Sequence, residues 1–226
     1  MSNISVLQKK ISYLLKIIVF VSAVVGTILS YLGSQDSFMG GSRVFMFFTT
    51  QSNIVMAIIS LIGLCYMIRV REAGQVWQVV KFVGTVAITL TGVVFCFVLA
   101  PTLGDDAWNI QNVLTHVVVP VFSVIDFFVV STAFDIKKKS VFYVIIPPIL
   151  YAIYAGIGYA NNWQFVEGYN YPYFFLNWGS KAGAFGFTNE LPFMGTAWWI
   201  LALFIFLIIV GYIYLVIADL LRNREK

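Results

Sequence analysis

Six windows of the chain, at about 11–32, 44–68, 79–100, 111–134, 141–160 and 195–221, are each long and apolar enough to cross a bilayer core of roughly 30 Å as a helix. Few charges interrupt them. In hydrocarbon every backbone N–H and C=O must find a protein partner, and a helix pairs its own. The expected fold class is therefore all-α: a polytopic membrane protein with six transmembrane helices in one bundle, residues 1–226 forming a single domain. No repeat, low-complexity stretch or long linker divides it. The composition agrees, since 60% hydrophobic and 11% charged residues with a mean hydropathy of +0.89 lie far from soluble domains. The first window is expected to remain as a helix rather than be cleaved, because its apolar run exceeds 20 residues and lacks a small-x-small cleavage site.

Lys9, Lys10, Arg69, Arg71, Lys137 to Lys139, Arg222, Arg224 and Lys226 flank one side of these spans, ten against Arg43 and Lys181 on the other. Short loops rich in Lys and Arg stay in the cytoplasm, so both termini are expected there, in a multi-pass cell-membrane protein. The net charge of +4 then records topology, with attraction to anionic inner-leaflet lipid as a by-product and no nucleic-acid partner implied. Cys65 and Cys96 fall near opposite ends of their spans, ~20 Å or more apart along the normal, so no disulfide between them is expected. The one long loop, about 161–194, lies on the side opposite the basic clusters and is rich in Tyr, Trp, Phe and Gly. It reads either as a lid over the bundle mouth or as an interfacial anchor without a part in chemistry.

Polar residues inside spans are rare and usually face the bundle interior. The second span carries FTTQSN at 48–53. At about 100° per residue, with Thr49 at zero, Ser52, Asn53, Met56 and Ser60 fall within about 60° of it, whereas Thr50 lies at about 100° and Gln51 at about 200°. Thr49 thus centres an inward stripe. The ordinary reading of such a stripe is interhelical glue. The fourth span, QNVLTHVVVPVFSVIDFF, holds the only histidine, His116, and sets Asn112, Pro120 and Ser123 within about 40° of it. With spans entering at about 44 and 111, Thr49 and His116 each lie five residues in, at a common depth of ~7 to 8 Å. Pro120 leaves the His116 carbonyl without its helical donor and predicts a kink that opens space there. Asp126 lies ~15 Å further along, too far to orient the imidazole, and reads as a structural ion pair or a protonated carboxyl; Lys81 on the third span reaches part of the way towards it.

A threonine hydroxyl becomes a nucleophile when an imidazole takes its proton and a third group orients the imidazole. Thr49, His116 and Asn112 suit those roles, with Asn53 as a donor to the developing oxyanion. A site just inside the outer leaflet would receive the ester bond of a lipid whose tails stay in the membrane. The expected activity is intramembrane lipid-ester hydrolysis, with membrane lipids or a lipid ester as partner and no cofactor. One histidine cannot give bis-His haem ligation, and the spans supply too few ligands for zinc. The alternative is a transporter or small-ligand or lipid-binding protein using the same stripes, which predicts broken helices at matching positions of two halves; only the fifth span, at Pro147 and Pro148, shows a strong break.

Gly40, Gly41 and Ser42 before the second span, the threonine just inside it, HVVVP at 116–120 and YPYFFLN at 171–177 together resemble the androgen-induced gene 1 protein family, and FTTQSN resembles its bacterial integral membrane relatives. The resemblance implies a six-span threonine hydrolase cleaving fatty acid esters of hydroxy fatty acids, with Thr49 and His116 as the essential pair. Thr50 is the neighbour that a one-residue shift would select. On the same resemblance Tyr171, Tyr173 and Asn177 of the aromatic loop join Ser52, Asn53, Asn112 and Ser123 as supporting or substrate-binding residues.

Overall fold

A computed structural model describes residues 4–35, 41–69 and 74–224, the side chain of Asp106 excepted. Gly40 of the Gly-Gly-Ser motif, Arg71 and Lys226 lie outside the described residues. Six helices are long and apolar enough to cross a membrane: α1 Val6–Gly33, α2 Phe48–Ile68, α3 Gln75–Leu103, α4 Ile110–Ser131, α5 Lys138–Ala160 and α6 Thr196–Arg224. Among the described residues the only β pairing is two isolated bridges in the 161–195 loop. The chain is a multi-pass helical membrane protein, as the windows require. One end of the bundle gathers Arg69, Lys137 to Lys139, Arg222 and Arg224; the other carries the aromatic loop.

Local chemistry sets the helix starts. Ser5 and Gln8 form a reciprocal capping box on α1, with bonds of 3.2 and 2.7 Å. The Asn109 side chain accepts from the Asn112 N–H at 3.0 Å and opens α4. The α2 start differs from the sequence expectation of about 44. Residues Gly41–Met46 wind as a 3₁₀ turn entered through Gly41 at φ +56, and Phe47 is extended with no side-chain cap, so α2 begins at Phe48. Thr49 therefore sits in the first helical turn rather than five residues in.

α1 to α4 form a closed ring: α1 packs on α2 and α4, and α3 on α2 and α4. Small residues allow close approach, as is usual between membrane helices. A Cβ on Gly26 of α1 would stand 2.7 Å from the Thr115 methyl of α4, and one on Gly63 of α2 would stand 2.7 Å from the Lys16 side chain. α6 lies outside the ring against α3, α4 and the 3₁₀ start of α5, Lys138–Ile145. Beyond the Pro147–Pro148 break, the α-helical part of α5 is the peripheral element.

Inside the ring, nearer the basic end, Asp126 of α4 is fully buried. Its carboxylate accepts from Lys16 Nζ at 2.8 and 2.9 Å, from Lys81 Nζ and from the Ser12 hydroxyl. The ion-pair reading of Asp126 holds, and Lys81 reaches it fully. Sequence reasoning missed Lys16 and Ser12, whose partner lies 110 or more residues away.

Candidate functional site

At the other end of the same ring, α1, α2, α3, α4 and the aromatic loop enclose a cavity of about 360 Å³ whose walls include Thr49, Thr50, Asn112, Thr115, His116 and Tyr173. Of the α4 stripe phased from sequence, His116, Pro120 and Ser123 are buried and Asn112 is half-buried; Asp126, off that stripe, is buried as well. Just before Pro120, where a kink was expected, residues Leu114–Val118 widen into a π-helical turn and the helix continues through it. A second π turn, Phe95–Leu99, lies opposite on α3. There the Phe95 ring stacks on the imidazole, centroids 3.8 Å apart and planes inclined by 21°. Gly92, one turn earlier on α3, abuts the carbonyl that Pro120 leaves free; a Cβ there would stand 2.9 Å from the His116 oxygen.

The imidazole is held on one edge. His116 Nδ1 lies 3.0 Å from the Asn112 carbonyl oxygen and 3.0 Å from Thr115 Oγ1. A carbonyl only accepts, so Nδ1 carries the proton and Nε2 carries the lone pair. Thr115 in turn donates to the Gln111 carbonyl at 2.8 Å, leaving its oxygen to accept from Nδ1–H. Nε2 has no hydrogen-bond partner among the described residues and is the nitrogen left to the cavity. Asn112 thus does orient the imidazole, but through its backbone; its side-chain amide donates to the Ala107 carbonyl at 3.0 Å. Thr115 and Phe95 are contacts that sequence reasoning missed.

Thr49 joins two cavities. Besides the His116 cavity it lines a narrow, mostly apolar chamber of about 50 Å³ between α2, α3, α5, α6 and the loop residues Tyr173, Phe175 and Leu176. The Tyr173 hydroxyl contacts the Thr49 side chain and the first-turn backbone N–H groups of Phe48 and Thr49, filling the place of the missing α2 cap. Burial pushes the Tyr173 phenol above its ordinary value of 10.0, so it stays protonated across the physiological range. Thr49 and His116 share the cavity wall, and no hydrogen bond joins them directly. Thr50 also faces this cavity, so both threonines of the pair reach it, but only Thr49 reaches the apolar chamber.

The remaining sequence candidates separate. Asn53 is fully buried and its amide N–H groups are committed to the carbonyls of Thr49 at 2.8 Å and Thr115 at 3.1 Å. It cannot serve as an oxyanion donor in this geometry, and instead ties the Thr49 turn to the turn before His116. Ser52 is glue: its hydroxyl pairs with Thr91 at 2.8 Å and with the Thr49 carbonyl at 3.0 Å. Ser123 is buried with an unpartnered hydroxyl and lines neither cavity. In YPYFFLN only Tyr173 reaches the His116 cavity. Tyr171 packs its ring on Tyr169, and the Asn177 side chain accepts from the Gly179 N–H at 3.0 Å, so both are engaged within the loop. No family model, curated protein or solved structure matches this chain.

Proposed function

We propose that the protein is an intramembrane lipid-ester hydrolase with Thr49 as nucleophile and His116 as base. The observation that carries this reading is the shared wall: one hydroxyl, in the α2 first turn whose N–H groups meet the Tyr173 hydroxyl, faces a cavity holding an oriented imidazole and an apolar chamber on its other side. Esters divide in the same way. The resemblance to the androgen-induced gene 1 protein family points to the same pair, and on the charge distribution the site belongs to the outer leaflet with both termini in the cytoplasm.

Thr49 Oγ1 attacks the ester carbonyl carbon while its proton passes to His116 Nε2 through a water in the cavity, which has room for one. The oxyanion forms beside the α2 first-turn N–H groups and the Tyr173 hydroxyl, where the positive end of the helix dipole favours it. Collapse breaks the bond to the alkoxy oxygen, which leaves as the alcohol with the proton from Nε2. Water, deprotonated by Nε2, then attacks the acyl-threonine, and the acid departs as Thr49 recovers its proton.

The test is turnover of a panel of lipid esters by purified protein in detergent. Thr49→Ala and His116→Ala should each lower kcat/KM by about 10² to 10⁴. Equal turnover in wild type and both variants, or none in wild type, sinks the reading. The buried Lys16–Asp126–Lys81 cluster is the one observation that favours the alternative, a transporter or lipid-binding protein. Ligand uptake into vesicles that survives Thr49→Ala but is lost on Asp126→Asn would select it.

A further inference from the structure

Outside the ring, α2, α3 and the α-helical part of α5 border a groove of about 600 Å³. Its walls are apolar along most of its length, including Val55, Ile59, Val83, Ala87, Ile146 and Leu150. From the level of Gln51 to that of Ile59 it follows α2 for eight residues, ~12 Å by helical rise. Val55, Ile146 and Leu150 are each about half exposed or more, so the groove opens sideways, at a depth where the six spans place hydrocarbon. Polar side chains occur at its aromatic end: Gln51, whose amide donates to the Phe45 carbonyl at 3.1 Å, and Ser52.

That end abuts the candidate site. Phe48 and Tyr151 line both the groove and the Thr49 chamber, their rings meeting edge to face with centroids 5.3 Å apart. Tyr151 is fixed by donating to the Met46 carbonyl at 3.0 Å, whereas the Phe48 ring has only packing to hold it. One aromatic layer therefore separates an open hydrocarbon slot from the hydroxyl that the proposed reaction uses.

Resting on the hydrolase reading, we infer that the α2–α3–α5 groove binds one long acyl chain of the ester substrate. The chain enters from the bilayer, lies along α2 and reaches Thr49 through the Phe48–Tyr151 wall. Water is a poor occupant of so apolar a slot at this depth, and a single chain suits its elongated shape better than a headgroup. On this reading the acyl chain is presented laterally, from the bilayer.

The experiment uses the full-length protein in lipid nanodiscs with two readouts. A palmitate ester carrying a mid-chain diazirine is photolysed and the labelled peptides are mapped. Turnover of p-nitrophenyl butyrate and palmitate is measured in parallel. Val83→Trp and Leu150→Trp fill the slot, and Ile205→Trp on the exposed face of α6 is the control. Label should fall on the groove segments of α2, α3 and α5, and drop at least about fivefold in the two groove variants only. Their kcat/KM should fall about tenfold or more for palmitate and stay within about twofold for butyrate. Absence of label from those segments overturns the inference whatever the turnover. Label there with palmitate turnover unaffected by Val83→Trp overturns it too, because the slot then holds a resident lipid. If wild type cleaves neither ester, the hydrolase reading fails, while label lost on Val83→Trp still upholds the acyl-chain site.

Discussion

At the scale of single residues, the site turns on which side of a helix a hydroxyl faces, and the neighbouring threonines provide an internal control. Thr49 lies between two cavities and Thr50 faces one. On the hydrolase reading Thr50→Ala should leave kcat/KM within a few fold, against a loss of about 10² or more for Thr49→Ala, measured on the same ester. Tyr173 gives a second test. Its phenol titrates higher in the folded protein than in the unfolded chain, so its contribution to stability is complete below pH ~10 and fades as pH rises through the folded value. Thermal unfolding in detergent should show a drop in Tm above pH ~10 that is smaller in Tyr173→Phe; equal drops in both proteins would remove Tyr173 from that role. That Thr49 and His116 would line one cavity was legible in the sequence because both fall on inward polar stripes, although the equal count from each helix start was not: Thr49 is the second residue of α2 and His116 the seventh of α4. Thr115 and Phe95 were not, because a π turn inserts a residue into the helical repeat and shifts the phase that a 100° step assumes. Asn53 misled for another reason: its phase was right, but both of its N–H groups go to backbone carbonyls that sequence does not place.

Between elements, the α3–α4 contact positions the imidazole. Gly92 meets the His116 carbonyl and the Pro120 ring, so Gly92→Ala forces the two helices apart or the π turn to change. It should cost about 1 to 3 kcal/mol, read as a lowered Tm in detergent, and on the hydrolase reading reduce turnover as Nε2 is displaced. The same pair is joined lower down by Asp126 and Lys81, with Lys16 reaching in from α1. Asp126→Asn leaves two buried ammonium groups without their carboxylate and should destabilise by about 3 to 5 kcal/mol. Replacing all three ionisable groups by Met or Leu should recover much of that loss in the same unfolding measurement. The helices themselves were legible to within a few residues, since span length is imposed by the bilayer. The starts were read less well: α1 begins five residues and α2 four residues from the expected positions, α2 because Val44–Met46 of the 3₁₀ turn is as apolar as the helix that follows.

For the molecule as a whole, the basic residues divide between the two ends, and that asymmetry predicts orientation. With Cys65 and Cys96 replaced, a cysteine introduced at the exposed Lys181 should react with an impermeant maleimide in intact cells, and one at Lys138 only after permeabilisation; the reverse pattern would invert the bundle. The long loop resolves into two parts that the sequence merged. Tyr173, Phe175 and Leu176 close the bundle mouth, as a lid would. Phe185, Phe187, Leu191 and Phe193 point outwards, as an interfacial anchor would.

The Lys16–Asp126–Lys81 cluster also bears on how the protein is made. Synthesis proceeds from the N-terminus, so α1 and α3 enter the bilayer carrying Lys16 and Lys81 before Asp126 exists; a lysine at the helix centre costs about 2.5 to 3.5 kcal/mol to insert, and less towards the basic end where these two lie. Both early helices must therefore be sheltered, or sit shallow with their ammonium groups drawn to the interface, until α4 arrives. The ring around the candidate site can close only then, so a chain halted after α3 should fail to settle in the membrane as a folded unit.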